Sequence, residues 1–118
     1  MKILVTGSSG HLGEALMRHL PGLGHDPVGL DAVAGGFTDI VGSVSDRQVV
    51  EQAMAGVEAV LHTATLHKPH VATHAKQAFI NTNVSGTLAL LEAAVAQGVG
   101  QFVFTSTTSA FGAALVPA

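Results

Sequence analysis

A doubly wound α/β fold, a parallel sheet with helices on both faces, is predicted by three features of the sequence. Short β-branched or apolar runs alternate with longer segments of helical periodicity. A glycine-rich turn joins the first run to the first helix, and no internal repeat or low-complexity tract breaks the alternation. Strands that alternate with helices pair in parallel through right-handed crossovers, and the expected strand order is 3-2-1-4-5.

Each element has its own signal. Residues 2–6 (KILVT) form the continuous apolar run of a buried parallel strand. Residues 11–20 follow as a helix with Leu12, Leu16 and Leu20 four apart on one face, stopped by Pro21 and Gly22. Residues 27–31 read as the second strand, 32–36 as a small-residue loop, and 38–43 as a short third strand; the link from Asp31 to Thr38 is too short for a helix. Ser45 or Asp46 caps the next helix, which runs to about Ala55 and ends at Gly56. Residues 57–62 form the fourth strand and 63–73 a polar, His-rich loop. A long helix spans 74–97, with Asn81, Asn83, Ser85 and Gly86 as poor helix formers in its middle. Residues 101–106 form the fifth strand, and 107–118 carry no clear element.

Composition narrows the function classes. At 118 residues, 47% hydrophobic and 11% charged, the chain is one domain with a packed core. A net charge of −3 and five scattered Lys/Arg argue against a nucleic-acid groove or an anionic membrane surface. There is no cysteine, so disulfides and thiolate sites are excluded. No apolar stretch is long enough for a membrane span, and the first apolar run is too short for a signal-peptide core, so a cytoplasmic location is expected.

The turn TGSSGHLG, residues 6–13, carries the chemistry. Gly7 permits the tight exit from the strand, Gly10 lets backbone approach a pyrophosphate, and Gly13 allows close helix packing. The bare amides and positive dipole end of the helix then bind a diphosphate. Asp31, 18 residues past Gly13 at the end of the second strand, accepts from both ribose hydroxyls and repels a 2′-phosphate. NAD is therefore favoured over NADP.

With Asp31, the segment 39–46 (DIVGSVSD), Asn83 to Thr87 (NVSGT) and residues 102–112 (FVFTSTTSAFG), the turn resembles the extended short-chain dehydrogenases/reductases. These NAD-dependent epimerases and dehydratases act often on nucleotide sugars, and the resemblance covers essentially the whole chain, matching only their N-terminal part. It implies that residues 1–118 are an incomplete NAD(P)-binding Rossmann domain, without the substrate lobe. The implied cofactor contacts are Gly7, Ser9, Gly10, His11 and Leu12 on the first turn, then Asp31, Ser43 and Val44. Thr63, Ala64 and Thr65 follow the fourth strand, and Thr105 and Ser106 the fifth. Ser43 stands where the family commonly has Asp for the adenine amino group, and Thr65 where it usually has Gly.

The resemblance makes Thr107 the catalytic hydroxyl that hydrogen-bonds the substrate oxygen, and Asn83 an organiser of the active site. His62, ending a buried strand, is expected in a hydrogen-bonded structural role. His67, His70 and His74 are read as a solvated or substrate-contacting loop, with no metal site. The family's Tyr, with a Lys four residues later, is absent, because the chain has no Tyr. The 118 residues are therefore expected to be inactive alone, as a piece of a longer enzyme or a free-standing module. They should aggregate or form a homodimer along the unpaired edge at Phe102 and Phe104. The expected partner is a small-molecule substrate whose carbinol exchanges hydride with NAD. Two rivals are a non-catalytic NAD(P)-binding sensor and a phosphate-sugar binder without nicotinamide.

Overall fold

Five parallel strands in the order β3-β2-β1-β4-β5 form one sheet in this computed structural model, which describes residues 1–66 and 68–106. The strands are β1 (Lys2–Thr6), β2 (Asp26–Asp31), β3 (Ile40–Val41), β4 (Ala59–His62) and β5 (Gln101–Phe104). Helix α1 (His11–His19) runs into a 3-10 turn (Leu20–Leu23), and α2 (Arg47–Met54) links β3 to β4. A second 3-10 turn (Lys68–Ala72) precedes α3 (Lys76–Phe79), a π-helical segment (Ile80–Gly86) and α4 (Thr87–Ala96). The order matches the expectation.

The pleat of the central strands divides the core into two layers. Ile3, Val5 and Ala59 face Met17 and Leu20 on the α1 side. Leu4 and Val60 face Val50, Met54 and Leu90 from α2 and α4 on the other. Leu4, Leu30, Val60 and Leu90 are fully buried, each contributing about 2 kcal/mol of transfer free energy.

Three expectations are corrected. Leu12 is not on the buried face of α1: the buried residues are Gly13 and Met17, with Leu20 just beyond, while Leu12 is 46% exposed. Contact of Gly13 with the preceding turn sets this rotation of the helix. The third strand shrinks from six expected residues to two: Thr38 is held in the preceding turn, its N–H donating to the Gly35 carbonyl and its Oγ1 to the Val33 carbonyl. The single helix over 74–97 starts later and contains a seven-residue π segment where the poor helix formers stand. A Cβ at Gly86 would fall 2.5 Å from Val44 Cγ2, so glycine lets this segment sit against the loop after β3.

Candidate functional site

The C-terminal ends of β1, β2 and β4 lie at one edge of the sheet, and the turns leaving them build a cleft of about 710 Å³. That volume is typical of a small-molecule or cofactor site. Gly7 opens the first turn at φ +72°, a conformation that disfavours any side chain. Its N–H donates to the Leu30 carbonyl at 2.8 Å, and its carbonyl accepts from Gly10 N–H at 3.0 Å. A Cβ at Gly13 would overlap the Gly7 carbonyl, so α1 begins tight against the turn. No side chain caps this helix: its N-cap is Gly10, and His11 and Leu12 of its first turn line the cleft. First-turn amides have no intrahelical acceptor, so they are open to an anion.

Asp31 lies across from this turn, held by backbone. Oδ2 accepts from Ser9 N–H and Oδ1 from Val33 N–H, both at 2.9 Å. A carboxylate offers about four acceptor sites, so each oxygen retains one for a ligand hydroxyl. Among the described residues Asp31 is the only acid lining the cleft. Ser43 also lines it, but its hydroxyl is paired with Ser45 Oγ at 2.7 Å and accepts from Ser45 N–H at 3.1 Å.

The far wall is built on buried polar contacts. Thr6 Oγ1 accepts from Ala64 N–H at 3.1 Å and lies 2.6 Å from His62 Nδ1. His62 Nε2 is 3.0 Å from Thr87 Oγ1. Burial pushes the His62 imidazole from its ordinary 6.5 down to about 4, so it is neutral at pH 7. Asn83, in the π segment, grips the loop after β4 from the other side. Its Nδ2 donates to the Leu66 carbonyl and its Oδ1 accepts from Leu66 N–H, each at 2.8 Å.

Of the residues expected to contact cofactor, Gly7, Ser9, Gly10, His11, Leu12, Asp31, Ser43, Val44, Thr63, Ala64, Thr65 and Thr105 line this one cleft. Ser106 does not: it follows the last bond to the sheet, from Thr105 N–H to the His62 carbonyl at 3.1 Å, and is exposed. Asn83 does not line the cleft either; both ends of its amide are engaged by Leu66. Thr107 and His67 lie outside the described residues. His70 and His74 line the cleft, their rings edge-on at 5.2 Å. Sequence reasoning missed Ala78 and Thr82, which also line it, because a helix laid over 74–97 carries no signal for the face it turns to the cleft.

A glycine turn entering an uncapped helix, with an acid at the end of the adjacent strand, defines the dinucleotide-binding class of doubly wound proteins. A model of the NAD dependent epimerase/dehydratase family matches residues 3–117, and the chain belongs to that family. It is 34% identical over 119 residues to UDP-glucose 4-epimerase of Rhizobium meliloti (strain 1021), covering 93% of this chain and 36% of that protein. It is 37% identical over 115 residues to 2-alkyl-3-oxoalkanoate reductase of Stenotrophomonas maltophilia (strain K279a), covering 92% and 34%. A short-chain dehydrogenase/reductase superfamily protein from Agrobacterium tumefaciens, solved with bound NAD, superposes with a TM-score of 0.85 at 37% identity, covering 95% of this chain and 34% of that one. The chain thus spans about a third of the length of the curated relatives it matches.

Proposed function

We propose that this chain is the NAD-binding part of an epimerase/dehydratase-type oxidoreductase that exchanges hydride with a substrate carbinol, a nucleotide sugar being the substrate class suggested by the similarity to UDP-glucose 4-epimerase. One observation carries the reading: the uncapped, glycine-lined start of α1 faces the same cleft as a backbone-held Asp31. The residues fit the cofactor. The amides at His11 and Leu12 would hold the diphosphate, and the free acceptor sites of Asp31 the adenosine ribose. Gly7 lets the turn pack closely against the loop after β4, since a Cβ there would fall 2.7 Å from Thr63 Oγ1.

Bound NAD supplies a hydride acceptor and donor. The chain's own contribution is binding and orientation: Thr63, Ala64 and Thr65 wall the cleft, and Asn83 fixes that wall through Leu66. Thr107 is assigned by the family resemblance to hydrogen-bond the substrate oxygen. With no Tyr in its sequence, the chain binds cofactor without turning substrate over. Self-association through β5, whose Val103 and Phe104 are half exposed on the outer strand, belongs to the same proposal.

Calorimetric titration tests the reading. Unmodified protein should prefer NAD over NADP by at least about tenfold, one like-charge repulsion of about 1.4 kcal/mol. Asp31→Ala should remove most of that preference. Equal affinity for the two cofactors before mutation overturns the role of Asp31, and no binding of either overturns the proposal.

A further inference from the structure

His62 is fully buried at the end of β4, flanked by the rings of Phe102 and Phe104 with centroids 6.1 and 5.7 Å away. Both ring nitrogens meet hydroxyls, and the partners of those hydroxyls decide where the protons are. Thr6 Oγ1 already accepts from Ala64 N–H and shares Thr63 N–H, each at 3.1 Å. Its lone pairs are used, so its proton goes to His62 Nδ1, 2.6 Å away. At the other end Thr87 Oγ1 donates to the Asn83 carbonyl at 2.8 Å. Its lone pairs then face His62 Nε2, which must carry the ring proton. The two ends independently require the same tautomer.

We propose that His62 is a positioning residue, locked as the neutral Nε2–H tautomer, that couples the cofactor-facing loop after β4 to the π segment. The chain of donors runs one way: Ala64 N–H to Thr6 Oγ1, Thr6 O–H to His62 Nδ1, His62 Nε2–H to Thr87 Oγ1, Thr87 O–H to the Asn83 carbonyl. Asn83 in turn grips Leu66, so the loop is held from both ends by one connected network. The other tautomer would leave the Thr6 proton without an acceptor and set two lone pairs against each other at Thr87. The proton assignment stands on hydrogen bonds alone; its consequence for cofactor affinity rests on the NAD reading of the cleft.

The test compares Thr87→Val, which keeps volume and removes the acceptor, with Thr87→Ser, which restores a hydroxyl. In ¹⁵N-labelled unmodified protein at pH 7, NMR of the His62 ring should show Nδ1 bare and Nε2 protonated. Thr87→Val should speed hydrogen exchange of the Thr63 and Ala64 amides about tenfold and weaken NAD by a similar factor, and Thr87→Ser should return both toward the unmodified values. A proton on Nδ1, unchanged exchange in a folded Thr87→Val, or failure of Thr87→Ser to hold the loop overturns the proposal. If Thr87→Val does not fold, the ring signature and Thr87→Ser still decide. Absence of NAD binding in the unmodified protein overturns the function proposed above, while ring and exchange data continue to decide this one.

Discussion

Two helices of nearly equal length, α1 and α2, begin in opposite ways. At α2 the N-cap is Asp46, whose Oδ1 accepts from Gln48 N–H at 3.0 Å and Val49 N–H at 3.4 Å. At α1 the N-cap is Gly10, with no side chain to offer. Both ends start with the same orphaned donors and the same positive dipole. One satisfies them locally, at exposed surface; the other leaves them to the cleft. What separates the self-capped helix from the one open to the cleft is one missing side chain and the glycine at position 13 that lets the bare end sit deep in the turn. The α1 end consequently depends on its neighbours for its shape, whereas the α2 end is self-contained.

The largest expected effect breaks the α1 side. Gly13→Ala places a methyl where the Gly7 carbonyl stands, and backbone, not a flexible side chain, has to yield. We expect a loss of about 3 kcal/mol in thermal or denaturant unfolding, together with loss of NAD binding. Gln48→Ala, an exposed residue in the first turn of α2, should change neither. Equal losses in the two variants would erase the distinction between the helix ends.

Acid sharpens the same comparison, because the wall facing α1 is anchored by His62. Its folded pKa of about 4 lies below the ordinary 6.5, so between those values the unfolded chain binds more protons than the folded one. Stability therefore falls as pH drops from 6.5 toward 4, by about 3 kcal/mol in all, and is flat with respect to this group above 6.5. Urea unfolding across that window measures it. His62→Gln should flatten the slope; an unchanged slope would assign it to other groups.

Much of this was legible in the sequence because it rests on short-range signals. The TGSSGHLG turn and Asp46 act within a turn or two of their own backbone, and Asp31 stands at the strand end where its type predicts. The strand order followed from alternation alone. What was not legible depends on partners distant along the chain. Asn83 was readable as out of place in a helix, but not as a clamp on Leu66, because nothing local says which backbone its amide will find. The phase of α1 has a nearer cause: leucine spacing points to Leu12, while Gly13, packed against the Gly7 carbonyl, and Met17 are the buried residues. Thr6 and Thr87 gave no sign in sequence that a buried histidine would join them.

The smallest effect is on the α2 side, and it tests the comparison from the opposite direction. Asp46→Ala removes the cap and should cost about 1 kcal/mol, read as a lower unfolding midpoint with unchanged denaturant slope. Asp46→Asn, which retains an acceptor oxygen, should recover most of that loss. NAD affinity should stay within about twofold of the unmodified protein in both variants, because the capped amides of Gln48 and Val49 do not line the cleft. Were Asp46→Ala to weaken NAD as severely as Gly13→Ala, the two helix ends would be energetically coupled, and self-containment of the capped end would have to be abandoned.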